Sequence, residues 1–164
     1  MNYRHAFHAG NAGDVVKHAL LVQLVSALQA KPKPICVLDV FAGIGVYDLI
    51  NGPATRTGEY RDGIGRLIAV AEPPKAFAAY LGIVRAMNPG GDLAVYPGSP
   101  ALVAAMLRPG DHLVVVEKHP EDAAALKAHF DGIEEVRVHR RDAYEAMVAL
   151  VPPPQRRGLM LVDP

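Results

Sequence analysis

A stripe of apolar residues follows the polar start of the chain and predicts a long helix. Asn11 precedes the stripe as a capping residue, and Asp14 lies where the positive end of a helix dipole favours a carboxylate. Valine, alanine and leucine residues then recur on a broad face until Lys31-Pro-Lys-Pro34 interrupts them. Because proline cannot continue a helix, the pattern predicts one that begins at Asn11 and ends before Lys31.

Short apolar runs alternate with helical patterns along the rest of the chain. Residues 35–40 form a continuous apolar run, which is typical of a strand buried on both faces. Further strands are predicted at 93–96, 112–116, 135–139 and 158–162, and helices at 101–107, 120–130 and 143–150. Strands that alternate with helices predict βαβ units and therefore an α/β fold with a parallel sheet.

The segment 51–92 breaks this alternation. It opens with a loop rich in Gly and Arg, and two short stretches with helical spacing follow the loop. We therefore predict a core formed by residues 1–50 and 93–164, with 51–92 as an inserted helical subdomain. The insertion falls at the rim where a ligand would bind, so it is either a lobe that recognises the substrate or a purely structural one.

Composition restricts the class of protein. The chain has 164 residues, of which 51% are hydrophobic, and this is enough for a buried core and excludes a disordered chain or a coiled coil. The 17 basic and 17 acidic residues balance, so a nucleic acid could be held only by local basic residues. A single cysteine, Cys36, excludes an intramolecular disulfide.

The sequence shows no sign of a membrane anchor or an export signal. The longest uncharged stretch near its start, residues 19–30, is too short to span a bilayer. Residues 1–18 are polar and lack the apolar centre and cleavage site of a signal peptide. We therefore expect a cytoplasmic protein that makes no contact with a membrane.

The last predicted strand runs into Asp163-Pro164, where the sequence stops. A parallel strand is normally followed by a crossover that covers the sheet and leads to a further strand. We therefore expect this chain to be the N-terminal part of a longer protein whose C-terminal strands are missing here.

Acidic residues stand at the carboxyl ends of the predicted strands, where ligands bind in open α/β sheets. The four residues are Asp39, Glu117, Asp142 and Asp163. A turn with Gly43 and Gly45 follows the first strand and allows the backbone to approach a ligand closely. A carboxylate at the end of the next strand can accept hydrogen bonds from ribose hydroxyls. The pattern predicts a site for a nucleoside.

Departures from two nucleotide-binding motifs indicate which nucleoside fits. Asp48 occupies the third glycine position of a G-x-G-x-x-G fingerprint, where a carboxylate would repel pyrophosphate, so NAD is disfavoured. The sequence contains no G-x-x-x-x-G-K-[ST] motif, which removes the simplest ATPase or GTPase. S-adenosylmethionine, a cation without phosphates, suits acid-rich strand ends better. Glu117 follows Gly45 by 72 residues, and the insertion explains this long spacing.

The end of the chain indicates a reaction. Asp163-Pro164 looks like the start of D-P-P-Y, the motif of methyltransferases that act on the amino group of adenine. The Asp carboxylate and the Pro carbonyl can accept hydrogen bonds from an N6 amine, whose lone pair is otherwise delocalised into the ring. This chemistry needs no metal, and we expect none, because the N-terminal histidines have no carboxylate or cysteine at a ligand spacing.

With these motifs the chain resembles the RlmJ family, the adenine-N6 methyltransferases of 23S ribosomal RNA. The matching stretches are residues 3–11, 14–18, 38–45, 56–60, 96–100, 117–120, 142 and 156–164. The first of them and the Tyr-Pro-Gly-Ser-Pro turn at 96–100 are the most specific to the family. The resemblance implies a Rossmann-like class I methyltransferase fold that uses S-adenosylmethionine. It also implies a monomer that acts on 23S rRNA free of ribosomal proteins.

The resemblance further implies roles for individual residues. Asp163 and Pro164 would be catalytic, with Asp163 holding the target amine. The residues expected to bind the cofactor are Lys17, His18, Asp39, Phe41, Gly43, Gly45, Ser99, Glu117, Asp142, Ala143 and Asp163. Within this set, Glu117 suits the ribose and Asp142 the adenine amine, whereas Phe41 stands where the family commonly has His.

Contacts with RNA are expected from an N-terminal segment beside the active site, through Tyr3, Arg4 and His8. Two other functions remain open. A methyltransferase of DNA adenine or of a small-molecule amine would use the same strand ends. A nucleic-acid-binding protein in the uptake and use of external DNA is the other alternative, since relatives of the family are associated with that role.

Overall fold

The fold is that of a computed structural model, of which residues 5–164 are described. In chain order its helices and strands are α1 (Ala12–Gln29), β1 (Cys36–Asp39), β2 (Val46–Asp48), α2 (Ala54–Thr57), α3 (Ile64–Ile68), α4 (Ala78–Ala86), β3 (Val95–Pro97), α5 (Ser99–Ala104), β4 (His112–Glu117), α6 (Pro120–His129), β5 (Val136–Arg140), α7 (Ala143–Ala149) and β6 (Gly158–Leu161). Turns of 3₁₀ helix lie at His5–Phe7, Glu59–Arg61 and Lys75–Phe77.

The helix α1 begins where the capping pattern predicts. The side chain of Asn11 accepts a hydrogen bond of 2.9 Å from the backbone N–H of Asp14, which satisfies one of the free amides of the first turn. Its buried face includes Val15, Val22 and Val25, and the helix ends at Gln29, before the Lys-Pro repeat. The predicted cap and end of this helix are both confirmed.

Four parallel strands form the central sheet, in the order β5–β4–β1–β6. Val37 of β1 stands beside Leu113 of β4 on one side and beside Leu159 of β6 on the other. The chain therefore builds outwards from β1 through β4 to β5 and then returns to the opposite side of β1. This parallel α/β architecture confirms the prediction from the alternating pattern.

The two faces of the sheet are covered differently. Helices α1, α5 and α6 pack on the face that carries Val37, Leu113 and Val115. Within residues 5–164, α7 is the helix that packs on the other face, against Leu38 and Val116. Beside α7 lies an apolar groove of about 890 Å³ whose lining includes Cys36, Val114 and Met160.

A second, two-stranded sheet pairs β2 with β3 in antiparallel orientation, with Tyr47 opposite Tyr96. The strand predicted at 93–96 is present as the shorter β3, which starts two residues later and ends one residue later, whereas β2 was not predicted. Its three residues directly follow the glycine turn, so the local sequence indicates only a turn. The pairing of β2 and β3 brings together the two ends of the segment 49–94.

The inserted segment packs against α1. Ile64 of α3 and Tyr80 and Leu81 of α4 belong to the same buried cluster as Val15 and Val22 of α1. The backbone also joins the two, because Ile64 N–H donates a hydrogen bond of 2.9 Å to the carbonyl of Gly10, before α1. The two predicted short helices correspond to α3 and α4. Because both pack against α1, the division into a core and an inserted subdomain with the boundaries 51–92 stays a prediction.

Within the part of the chain that the structure describes, no helix is long and apolar enough to cross a membrane.

The start of β4 is held by a fully buried carboxylate. Asp111 accepts hydrogen bonds from the Ile35 backbone N–H, from the Gln29 amide and from the backbone and guanidinium of Arg108, at 2.9–3.2 Å. Burial opposes ionisation, but the hydrogen bonds, led by that of Arg108, outweigh it and hold the pKa of Asp111 well below its ordinary value.

Replacement of Asp111 by Asn will destabilise the protein by about 3 kcal/mol at pH 7, because every partner is a donor and an amide turns an NH₂ group towards them. Because the pKa of Asp111 is lowered in the folded state, this stabilisation is present above the ordinary pKa of 3.8 and is lost as the pH falls further. Chemical denaturation at several pH values measures the difference. Asp131→Asn, at an exposed carboxylate after α6, is the control, and equal stability of the two variants would contradict the role of Asp111.

Candidate active site

A cavity of about 400 Å³ opens at the carboxyl ends of β1, β4 and β6. The predicted site residues that line it are Lys17, His18, Phe41, Gly43, Ser99, Glu117, Asp163 and Pro164. The strand order reverses at β1, and ligands of open α/β sheets bind beside such a reversal. The fold thus brings together residues that lie up to 147 positions apart in the sequence.

Gly43 of the glycine turn lines the cavity, whereas Gly45 is not among the lining residues. Gly43 and Gly45 have φ angles of 61° and 85°, in the region that favours glycine. A Cβ atom on Gly43 would lie 2.5 Å from the hydroxyl of Tyr47. The carbonyl of Gly45 accepts a hydrogen bond of 2.8 Å from Gly98 N–H, which joins the glycine turn to the Tyr-Pro-Gly-Ser-Pro turn. The two most characteristic turns of the sequence therefore contact each other.

Asp39 lies buried at the end of β1, with 1% of its surface exposed, and is not among the residues that line the cavity. Its carboxylate accepts hydrogen bonds from the Ser99 hydroxyl at 2.6 Å and from the backbone N–H of Phe41 at 3.2 Å. Burial raises its pKa to about 6 against the effect of these bonds, and the nearby carboxylates of Asp163 and Glu117 add to the rise. Asp39 thus hydrogen-bonds to Ser99 and to the backbone just before the glycine turn.

Glu117, at the end of β4, faces the cavity with both carboxylate oxygens engaged. One accepts a hydrogen bond of 3.0 Å from Gly43 N–H, and the other accepts one of 2.8 Å from His119 N–H. The side chain is therefore held in one orientation beside the glycine turn. A carboxylate oriented in this way can accept further hydrogen bonds from hydroxyl groups of a ligand.

Lys17 and Asp163 form an ion pair in the lining of the cavity. The ammonium of Lys17, on α1, lies 2.5 Å from a carboxylate oxygen of Asp163, which follows β6. The two side chains are 45% and 41% exposed, so solvent screens the pair and it contributes little to stability. Such a pair can open at low cost when a ligand offers either group another partner.

His18 lies between the cavity and the packed interior. Its Nδ1 atom is 2.8 Å from the hydroxyl of Tyr96, and the ring stacks on that of Tyr96. Burial lowers the pKa of His18 to about 4, although the neighbouring carboxylate of Asp14 opposes the shift. The imidazole is therefore neutral at pH 7.

Asp142 and Ala143 stand at the end of β5, outside the group of residues that line the cavity. Asp142 caps α7 by accepting a hydrogen bond of 2.9 Å from Tyr144 N–H. A hydrogen bond from Lys118 is the main reason why its pKa is lowered. The rings of Phe41 and Tyr144 meet edge to face, 6.3 Å apart, and connect this strand end to the cavity wall.

The predicted RNA-contacting residues are only partly covered. Tyr3 and Arg4 lie outside the described residues. His8 is described, and its Nδ1 atom lies 2.8 Å from a carboxylate oxygen of Glu59 in the inserted segment rather than in the cavity. Among residues 5–164 no group of three or more His, Cys, Asp or Glu side chains could hold a metal ion.

Sequence reasoning missed several residues that line the cavity. They are His5, Ala42, Tyr47, Gly98, His119 and Asp122. A signal existed for His119, which directly follows Glu117 and Lys118 in a matched stretch. For Tyr47 no local signal existed, because its position depends on the pairing of β2 with the distant β3.

Substitution of Gly43 by Ala will destabilise the protein by about 1–2 kcal/mol, because φ is positive there and the new methyl group would meet the Tyr47 hydroxyl. The matched control is Gly82→Ala in α4, where a Cβ atom meets nothing within 4 Å and helix propensity favours alanine by about 0.5–1 kcal/mol. Denaturant titration of both variants measures the effect. A Gly43→Ala protein as stable as the wild type would contradict this account of the turn.

Removal of the Ser99 hydroxyl will raise the pKa of Asp39 beyond about 6, because that hydrogen bond stabilises the carboxylate. A folded-state pKa above the ordinary value of 3.8 means that ionisation of Asp39 lowers stability as the pH rises through about 6. An NMR titration of the carboxyl carbon in Ser99→Ala checks the shift. Ser26→Ala, on the exposed side of α1, is the control, and an unchanged titration in Ser99→Ala would show that the bond is not formed.

Comparison with known proteins extends these observations. A family model described as "Ribosomal RNA large subunit methyltransferase D, RlmJ" matches residues 32–164. The chain is 41% identical over 164 residues to Ribosomal RNA large subunit methyltransferase J of Escherichia coli K12, and 38% identical over 165 residues to the protein of that name from Haemophilus influenzae Rd. The whole chain aligns with both, but it spans only 59% of the length of each.

A solved structure also matches. The crystal structure of a Legionella pneumophila protein superimposes with a TM-score of 0.88 at 35% identity, over 96% of this chain and 58% of that one. This similarity confirms the predicted fold class. The family model covers most of the chain, and both sequence relatives align with it from end to end, so the chain belongs to the RlmJ family of ribosomal RNA large subunit methyltransferases.

Proposed function

We propose that the full-length protein methylates the exocyclic N6 amine of an adenine in 23S rRNA, with S-adenosylmethionine as the methyl donor. The observation that carries the proposal is the position of Asp163. It follows β6 on one side of the reversal in strand order, and it lines the same cavity as the glycine turn and Glu117 on the other side. The carboxylate that would hold the amine therefore lies beside a cavity wall that suits a nucleoside.

The residues at the cavity fit S-adenosylmethionine. Its volume of about 400 Å³ lies within the usual range for small-molecule sites. Asp39, Glu117 and Asp163 make the surroundings acidic, which favours a sulfonium cation, and the glycine turn presents backbone without side chains. Glu117 would hold the ribose and Lys17 the carboxylate of the methionine moiety. When bound, the cofactor supplies an electrophilic methyl group.

Asp163 and Pro164 would act on the substrate amine. A carboxylate oxygen and a backbone carbonyl that accept the two N–H groups of N6 localise its lone pair for in-line attack. Lys17 pairs with Asp163 in the structure, so the amine must displace the ammonium from this carboxylate. Because the pair is half-exposed and screened, the exchange costs little.

Ribosomal RNA is the proposed substrate because the relatives are named for it and because the cavity would admit only a base that has left its stack. The formal net charge of zero means that local residues must hold the phosphates, with Tyr3, Arg4 and His8 as candidates. We place the enzyme in the cytoplasm and propose that it acts as a monomer without a metal.

Methyl transfer from labelled S-adenosylmethionine to protein-free 23S rRNA fragments by the full-length protein tests the proposal. Asp163→Asn should lower kcat by about 10²–10³-fold, because a neutral amide oxygen is a weaker acceptor than a carboxylate oxygen and the NH₂ group cannot accept the N6 hydrogen bond at all. Glu117→Gln should weaken cofactor binding about tenfold in calorimetry. Glu134→Gln, at an exposed residue before β5 and far from the carboxyl ends, is the matched control and should change neither.

Parallel reactions with duplex DNA and small amines separate the alternatives. Transfer to DNA or to an amine but not to rRNA would replace the proposed substrate. Binding of DNA without any methyl transfer would favour a role in the use of external DNA. Full activity of Asp163→Asn would contradict the assignment of the target amine.

A further inference from the structure

A chain of hydrogen bonds leads from the inserted segment to the cavity. The hydroxyl of Tyr80, on α4, lies 2.9 Å from that of Tyr96, on β3. The hydroxyl of Tyr96 lies 2.8 Å from Nδ1 of His18, whose ring lines the cavity. Both tyrosines are fully buried, and the rings of Tyr96 and His18 stack 5.6 Å apart with 23° between their planes.

Each member of the chain carries a single proton that must be placed. Burial raises the pKa of both tyrosines, so their hydroxyls remain protonated. Burial also lowers the pKa of His18 to about 4, so at pH 7 its ring has one N–H. The bonds can therefore run only in one of two directions, from His18 to Tyr80 or from Tyr80 to His18.

The surroundings of Tyr80 favour one direction. If His18 donated from Nδ1 to Tyr96 and Tyr96 donated to Tyr80, the Tyr80 proton would need another acceptor. Within residues 5–164, the Tyr96 hydroxyl is the one hydrogen-bond partner of the Tyr80 hydroxyl. A buried O–H without an acceptor is unfavourable. In the other direction Tyr80 donates to Tyr96 and Tyr96 donates to Nδ1, so both buried hydroxyl protons have an acceptor, and the remaining proton lies on Nε2 of the ring that lines the cavity.

We propose that Tyr96, supported by Tyr80, is a positioning residue that holds His18 as the neutral tautomer with its proton on Nε2, so that the ring offers a hydrogen-bond donor to the cavity. This inference deepens the proposed function. Its assignment of a ligand to the cavity rests on that function. Nδ1 is occupied by Tyr96, so Nε2 is the ring nitrogen left for a ligand.

A neutral donor at this place suits the proposed cofactor. Lys17 precedes His18 on α1, and both line the cavity, so a carboxylate of the ligand would find an ammonium and an N–H group on the same helix turn. A protonated imidazole would add a second positive charge beside a sulfonium cation. The hydroxyl chain thus provides a donor without that repulsion.

The tautomer can be measured directly. In the ligand-free, full-length protein labelled with ¹⁵N-histidine, NMR at pH 7 should show His18 protonated at Nε2 and unprotonated at Nδ1, with His18→Gln to assign the signals. A proton on Nδ1, or on both nitrogens, would overturn the proposal. Because this measurement uses neither cofactor nor RNA, it stands even if methyl transfer is never observed, and it remains decisive if a tyrosine variant does not fold.

Three variants that each remove one hydroxyl test the direction of the chain. Tyr96→Phe should give a mixture of His18 tautomers and weaken S-adenosylmethionine binding about fivefold in calorimetry. Tyr80→Phe should keep the Nε2–H tautomer, because Tyr96 still has Nδ1 as its acceptor. The matched control is Tyr60→Phe in the inserted segment, which should change neither quantity.

The reverse direction makes opposite predictions for these variants. If the bonds ran from His18 towards Tyr80, loss of the Tyr80 oxygen would remove the acceptor of Tyr96 and shift the tautomer. A shifted tautomer in Tyr80→Phe, or unchanged tautomer and cofactor affinity in a folded Tyr96→Phe protein, would overturn the proposal. A wild-type protein that has the Nε2–H tautomer but does not bind S-adenosylmethionine would contradict the proposed function instead.

Discussion

The reversal of strand order at β1 is the constraint on which the site depends. From β1 the chain continues to β4 and β5 on one side of the sheet and then returns to β6 on the other side. The connections that follow β1 and its neighbours therefore diverge, and a crevice opens at the carboxyl ends of these strands. Asp39 stands at the end of the strand where the reversal occurs, and Asp163 stands at the end of its neighbour. Without this order, Lys17, Glu117 and Asp163 would not line one cavity.

The acidic groups at this opening differ in their burial and in their hydrogen-bonding or ionic partners. Asp39 is buried and accepts hydrogen bonds from Ser99 and from the backbone of Phe41, and burial raises its pKa. Glu117 is held by backbone N–H groups, and Asp163 is partly exposed and paired with an ammonium. The proposed preference for a cation over a phosphate rests on these carboxylates and agrees with the sequence argument from Asp48 against dinucleotides.

The sequence predicted those features whose causes are local. Asn11 and the Lys-Pro repeat define α1, and continuous apolar runs define the strands of the central sheet. Features that depend on distant partners were not predictable: β2 pairs with β3 across the insertion, and Tyr80, Tyr96 and His18 meet only after folding. The hydrogen bond between the Ser99 hydroxyl and Asp39 was not predictable either, because no spacing rule indicates it.

The pairing of β2 with β3 has a consequence for how this family can vary. Both ends of the segment 49–94 leave the core side by side, so the segment forms a loop that is already closed at its base. The entropy of such a loop grows only with the logarithm of its length, by roughly 0.6 kcal/mol for each doubling. Evolution can therefore lengthen or shorten the outer part of the insertion while the glycine turn stays in place, provided that the contacts of Ile64 and Tyr80 are kept.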